Sequence, residues 1–354
     1  MGGEALMFFT IVIPAWNCEK TINRLMNSLV QQEMKDFKVI ICDDSDHEGL
    51  WDLIEPYTED FRLVYYQRES EPYKIHCPGN TRHSGLKRAL QEDTQYILFA
   101  DCDDCFVPDT FGTLKRLLVD GKYPDVIGTR FDVHDDSGKF LYKEQISLGW
   151  LHGKVYKKDF LLKYDIQFGL DQSSHEDTYF NSVVAYYTML HSDVRALQSN
   201  DFCFYIWHKR PESTSHFQYD EANEIGIQKL FPEYIKSCIG VFLNKFTEDG
   251  ITDPDVKIRF AFKVAKDIYT AYCYFQGFVD KGNRTYLVNA YKAIKDAVWG
   301  YCETFGVTTQ DIIKVIYSEP KTSIESRQIS YAATGPYIEH QSFRDFINGM
   351  RLYE

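Results

Sequence analysis

The strongest constraint on this chain is an alternation: short runs apolar at nearly every position, each followed by a stretch whose apolar residues recur with helical spacing. Phe8-Phe9-Thr10-Ile11-Val12-Ile13 is the first run; Pro14 stops it and a turn follows at Ala15-Trp16-Asn17. Ile22, Leu25, Met26, Leu29 and Val30 then fall at i, i+3, i+4, i+7 and i+8, one apolar stripe of a helix that Asn17 is placed to cap. Val39-Ile40-Ile41-Cys42, Leu63-Val64-Tyr65-Tyr66, Tyr96-Ile97-Leu98-Phe99-Ala100 and Val126-Ile127-Gly128 repeat the strand signal. Between them Leu50, Leu53 and Ile54, then residues 81–91, then a segment opened by Pro108 at a first-turn position read as helices. A run that is apolar throughout, rather than at every second residue, describes a strand covered on both faces. The expected fold is therefore α/β, a mostly parallel sheet between layers of helix.

At about 150 residues per domain, 354 residues make roughly two domains. Beyond residue 220 the texture changes. Residues 258–265, the Tyr-rich run 269–279 and residues 286–304 read as helix with no strand between them. The expected division is an α/β domain over 1–219 and a helical C-terminal domain or extension over 220–354. Their joint is expected in the polar segment Glu212 to Asn223, and a loose loop from Thr322 to Gly335. No run approaches the roughly 18 apolar residues a spanning helix needs, and Met1-Gly2-Gly3-Glu4 lacks a secretory pattern, so the expectation is a cytoplasmic protein. Nine scattered cysteines suit a reducing compartment, and Cys102 with Cys105 lacks the second pair a zinc site needs. The formal charge of -13 repels polyanions, so nucleic acid would need a local basic patch. Most of that acidity lies in the first 219 residues.

Open α/β sheets bind ligands at the carboxyl ends of their strands, and two of those ends carry acids. Asp43-Asp44 follows the second run, and Asp101-Cys102-Asp103-Asp104 follows the fourth. Carboxylates gathered on one rim repel each other unless a cation offsets them, and such oxygen ligands suit Mg²⁺ or Mn²⁺ held partly by substrate phosphates. The chain has no G-x-x-x-x-G-K-[ST] loop and no G-x-G-x-x-G after the first strand. An aspartyl-phosphate phosphatase is disfavoured because Cys105 stands where that family wants Thr or Val.

In this order the motifs resemble the family-2 glycosyltransferases with the GT-A nucleotide-sugar-binding fold. Thr10 to Asn17 looks like that family's opening strand and turn, and Val39 to Ser45 like its second strand with a base-binding acid. Gly79-Asn80-Thr81-Arg82-His83-Ser84-Gly85 is similar to its Arg-Asn-x-Gly segment, with His83 where Asn is usual. Tyr96 to Asp104, followed by Pro108-Asp109, resembles its D-x-D-D strand. His152 to Lys158, Ile166-Gln167-Phe168 and Glu176-Asp177-Thr178-Tyr179-Phe180 resemble its acceptor-side segment, and Trp207 to Ser215 its segment after the last core strand. The resemblance covers roughly residues 8–217.

The resemblance implies an inverting, metal-dependent transfer of a sugar from a nucleotide-sugar, a UDP-sugar, to a hydroxyl of a saccharide acceptor. It implies a donor site of Pro14, Ala15, Trp16, Asn17, Asp44, Arg82, Asp101, Cys102 and Lys154. Asp44 accepts the uracil imide N–H, Asp101 reaches the ribose hydroxyls, and Arg82 and Lys154 pair with phosphate or acid groups. Asp103, Asp101 and His208 would hold Mn²⁺ or Mg²⁺, and Asp177, with Glu176 beside it, would be the general base. Two alternatives share the scaffold. One is a phage-type enzyme acting on a hydroxymethylated base of DNA, for which Lys157-Lys158 and Lys209-Arg210 leave room; the other is a catalytically silent GT-A binding module.

Overall fold

The structure is a computed structural model that describes residues 7–68, 76–144, 146, 150–172, 175–210, 237, 240–263, 300, 302–303, 306–311 and 314. The chain divides into two compact units, Met1–Phe180 with His191–Ser213, and Asn181–Leu190 with Thr214–Glu354.

In the first unit the elements run β1 (Met7–Ala15), α1 (Ile22–Val30), β2 (Phe37–Asp43), α2 (Leu50–Ile54), a 3-10 turn (Glu55–Glu59), β3 (Arg62–Gln67), α3 (Pro78–Ala89) and β4 (Thr94–Phe99). Then come β5 (Cys105–Phe106), α4 (Phe111–Asp120), β6 (Val126–Asp135), β7 (Phe140–Glu144), β8 (Lys154–Lys157), α5 (Lys158–Lys163), α6 (Glu176–Leu190) and β9 (Ala196–Lys209). Among the described residues they form one sheet in the order β3-β2-β1-β4-β8-β6-β9-β5, with β7 beside β6. β3, β2, β1 and β4 are mutually parallel, β8 runs against both β4 and β6, and β6 is parallel to β9. The expected α/β sheet forms, but it is mixed rather than mostly parallel: among the described residues four strand pairings are parallel and four, β4 with β8, β6 with β8, β6 with β7 and β5 with β9, are antiparallel.

Register places the two acidic ends together. β1 pairs Ile13 with Ile41 and Ala15 with Asp43 on one side, and Val12 with Phe99 on the other. The chain leaving β1, β2 and β4 therefore emerges on one rim. The strand order reverses between β1 and β4, the position at which open α/β sheets place their ligands. Every residue of β1 and β2 except Pro14 is buried, as strands covered on both faces require. The stripe Ile22, Leu25, Met26 and Leu29 of α1 is fully buried. Close approach of α3 to β1 requires Gly85, since a Cβ there would lie 2.5 Å from Val12 Cγ1.

Two local expectations fail. Asn17 does not cap α1: it adopts a left-handed φ of 50° and donates its N–H to Ser45 Oγ at 2.8 Å, while Thr21 takes the N-cap position. Pro108 lies in a turn and α4 starts at Phe111 instead. The start of α4 is set from a distance in sequence, because Gln32 Oε1 accepts the N–H groups of Thr110 (2.9 Å) and Phe111 (3.1 Å).

In the second unit the described elements are helical: the end of α6, α7 (Val241–Glu248) and a helix over 254–263. Tyr186 packs with Phe246 and Phe260, ring centroids 4.7 to 5.7 Å apart, and its hydroxyl donates to Asp249 Oδ2 at 2.8 Å. The joint expected at 212–223, the run 269–279, the loop 322–335 and most of 286–304 lie outside the described residues. Among the described residues no helix is long and apolar enough to cross a membrane.

Gly85→Val drives a side chain into Val12 and is expected to cost about 1–3 kcal/mol, read as a lower urea midpoint. Combined with Val12→Ala the two losses should be less than additive; strict additivity would mean that the close approach carries no strain.

Candidate active site

The end of β2 separates its two acids into different jobs. Asp43 is occupied by its own turn, with Oδ1 accepting the N–H (3.0 Å) and hydroxyl (2.6 Å) of Ser45 and Oδ2 accepting the Tyr65 hydroxyl (2.8 Å). Asp44, also buried, meets donors from beyond its own turn. Its Oδ1 accepts from Arg68 Nε at 2.7 Å and lies 3.1 Å from His76 Nδ1, and its Oδ2 accepts from Thr81 Oγ1 at 2.9 Å. The Asp44 N–H donates to the Ala15 carbonyl at 2.9 Å, which ties the β2 turn to the end of β1. Pro14 and Ala15 belong to the strand, whereas Trp16 beyond them is 59% exposed.

The acidic loop after β4 is folded around Tyr205 of β9. The Tyr205 hydroxyl donates to Asp104 Oδ2 at 2.6 Å and accepts the Asp101 N–H at 3.0 Å, and the His208 N–H donates to Asp104 Oδ1 at 2.8 Å. Burial, with Asp103 and Asp101 close by, pushes the Asp104 carboxyl well up. Burial also raises Asp103, against the opposing charge of Arg210, with which its Oδ2 forms an ion pair. Burial acts on Asp101 in the same sense, but the Arg82 guanidinium and His152 override it and hold that carboxyl below the usual range. Cys102 stands half-buried between them, its thiol pushed well up by contact with Cys18 and by burial.

Helix α3 delivers the link to the acceptor side. Its first turn is clamped to the chain before α6: Gly79 N–H donates to the Gln172 carbonyl (3.2 Å), and the Asn80 side chain and the Asp171 side chain and N–H bond each other reciprocally at 2.9 Å. This places the buried Arg82 between two acids, with Nη2 on Asp101 Oδ1 at 2.5 Å and Nη1 on Glu176 Oε1. Asp177 is the second residue of α6, where the helix dipole favours negative charge. Burial and the neighbouring Glu176 nevertheless raise its carboxyl to about 7, with Arg82 partly opposing them. Burial lowers Lys154 to about 7, against the charge of Asp177, and its ammonium donates to the Trp150 carbonyl.

The chemistry of the donors fits a divalent cation. Asp101, Asp104 and His152 each offer a ligand atom, and these atoms lie within 4.8 Å of one another. Carboxylate oxygens with one imidazole suit Mn²⁺ or Mg²⁺, and the raised Asp104 carboxyl, buried beside Asp101, is what a cation relieves. His152 Nε2 is 3.3 Å from Asp101 and 3.6 Å from Asp104; its ring stacks on Tyr205 (centroids 4.8 Å) and Trp150 (5.7 Å). Of the residues expected to hold metal, Asp101 stands in this cluster, Asp103 faces Arg210, and the side chain of His208 neighbours His134. Burial, Arg24 and His134 lower His208 to about 4, so its imidazole is neutral near pH 7.

Sequence reasoning assigned no role to Arg68, His76, Thr81, Tyr205 or His152. Two of them carried a signal, each inside a segment the resemblance singled out: His152 stands two residues before Lys154, and Thr81 stands next to Arg82.

Residues 10–174 match the family model described as glycosyl transferase family 2. The poly(ribitol-phosphate) beta-N-acetylglucosaminyltransferase TarS of Staphylococcus aureus is 26% identical over 189 residues, 49% of this chain and 32% of that protein. The Escherichia coli UDP-Glc:alpha-D-GlcNAc-diphosphoundecaprenol beta-1,3-glucosyltransferase WfaP is 34% identical over 100 residues, 28% of this chain and 36% of that one. The chain thus spans about a third of the length of these curated relatives. The crystal structure of S. aureus TarS 1-349 in complex with UDP superposes with a TM-score of 0.57 at 19% identity, covering 98% of this chain and 92% of that one.

The Asp177 carboxyl is raised above its unfolded value of about 4, so folding is penalised increasingly as pH rises from about 4 to about 7, and by a constant amount above that. Asp177→Asn removes the charge and should raise the melting temperature at pH 8 while leaving it nearly unchanged at pH 4. Arg82→Met leaves Asp101 and Glu176 without their cation and should cost on the order of 3 kcal/mol at pH 8, again by thermal melting.

Proposed function

We propose, from the match of residues 10–174 to the family-2 glycosyl transferase model, that the chain transfers a sugar from a UDP-sugar to a hydroxyl of a saccharide acceptor, with inversion at the anomeric carbon. The observation that carries this reading is the Arg82 bridge, which joins Asp101 to Glu176 and so brings the acidic loop and the acid pair of α6 to one place. Two comparisons support the donor: the TarS fragment is seen in complex with UDP, and WfaP is a UDP-Glc-dependent glucosyltransferase.

Each residue has a task that its surroundings suit. Asp44 accepts the uracil imide N–H, and the exposed face of Trp16 is available to the base. Pro14, Ala15 and Asn17 shape the turn beneath the nucleotide, Asp101 reaches the ribose hydroxyls, and Cys102 lines the same loop. A bound divalent cation would supply positive charge to the departing diphosphate, held by Asp101 and Asp103 with Asp104, His152 and His208 as neighbouring donors.

Asp177 is the general base. A carboxyl raised to about 7 is a stronger proton acceptor than an exposed one and is still about half ionised near neutral pH. It takes the acceptor hydroxyl's proton as that oxygen attacks C1 from the face opposite the leaving group, and a single displacement inverts the centre. Glu176, held by Arg82, fixes the first turn of α6 and with it the position of Asp177. The buried Lys154 lies close enough to Asp177 to bias its charge and can hand charge to the diphosphate side.

Asp177→Asn should lower kcat by 10²- to 10⁴-fold with the fold intact, since it removes the base. The wild-type rate should rise with pH to a plateau above about 7, because the working form is the carboxylate. Chelation should abolish transfer and Mn²⁺ restore it, and Asp103→Ala should mimic chelation. A product of retained configuration, read from its anomeric NMR coupling, would overturn the single displacement.

A further inference from the structure

Arg68 follows the last residue of β3, and its own N–H is held by the Asp43 carbonyl at 2.7 Å. Its backbone is thus fixed alongside the acid that its side chain meets. The pair is sealed: the Arg68 and Asp44 side chains are 2% and 3% exposed, with Nε to Oδ1 at 2.7 Å. A carboxylate has about four acceptor positions on its two oxygens. Among the described residues Arg68, Thr81 and His76 Nδ1 as donor use three of them, leaving one for a ligand.

We infer that Arg68 sets nucleobase discrimination by locking the buried Asp44 in a form that can only accept hydrogen bonds. The inference rests on the assignment of Asp44 to the base and goes one step further, to the residue that decides what Asp44 accepts. Uracil presents an imide N–H to such a group. Cytosine presents an unprotonated ring nitrogen at that position, lone pair against lone pair. Removing the guanidinium leaves a buried carboxylate without its cation, a situation relieved by taking up a proton. The resulting carboxylic acid donates, which suits cytosine and not uracil. His76 is the weaker neighbour of Asp44, because its side chain is half exposed and is shared with Asp46 at 3.5 Å. Arg68 acts through Asp44 and is therefore a positioning residue.

Calorimetric titration of the full chain with UDP, CDP and 3-methyl-UDP, in the presence of Mn²⁺, separates the two levels of the argument. Wild type should bind UDP at least about tenfold more tightly than either analogue, because a site built around one hydrogen bond rejects ligands that cannot make it. In Arg68→Met the UDP-to-CDP ratio should fall at least about tenfold, chiefly through gained CDP affinity. Arg68→Gln keeps a hydrogen-bond donor without the charge and should behave alike; it carries the measurement where the methionine variant does not fold. A ratio kept within twofold in either folded variant overturns the inference while leaving the base site in place. Failure of both variants to fold assigns Arg68 to folding alone and also overturns it. Equal affinity of wild type for UDP and 3-methyl-UDP instead removes Asp44 from base recognition altogether.

Discussion

The site depends on one buried guanidinium. Arg82 comes from the first half of α3, yet its two ends hold the acidic loop after β4 and the first residue of α6. An arginine can do this because its planar fork offers several donors at fixed angles and its charge persists through burial. The residue before it, Thr81, reaches in the other direction to Asp44. A single helical turn thus spaces the acid at the end of β2 from the acids of β4 and α6. That turn is itself tied to residues 168–172, through Gly79, Asn80 and His83.

Around this turn the rim solves an electrostatic problem. Parallel register brings two acidic strand ends together, and α6 adds a third acidic pair. Nearly every acid there has an assigned partner: Arg68 for Asp44, Arg82 for Asp101 and Glu176, Arg210 for Asp103, and Tyr205 with the His208 N–H for Asp104. Asp177 is raised all the same, by burial and by the neighbouring Glu176, with Arg82 and Lys154 opposing them. Keeping such a group costs stability and makes it useful as a base, a trade common at sites where proton transfer is the task.

Discrimination of ligands follows the same logic. Asp43 and Asp44 are adjacent in sequence and both carboxylates, but one is consumed by Ser45 and Tyr65 within its own neighbourhood. The other is gripped from two further elements and, among the described residues, keeps an acceptor position to spare. Chemical identity did not distinguish them; their partners did.

Hydrophobic period and strand-end acids determined, from the sequence alone, the α/β alternation, the buried central strands and the acidic rim. These depend on residues within a few positions of one another, where side-chain spacing dictates which face is buried. Tertiary structure alone decided the partners: Arg68 and Thr81 on Asp44, Tyr205 beneath Asp101 and Asp104, His152 between them, and Gln32 capping α4 from about 80 residues away. It also decided that Asn17 turns left-handed toward Ser45 instead of capping α1. The reason is that a buried polar group takes whichever donor the packed sheet brings within about 3 Å, and that choice is made by register between strands far apart in the chain.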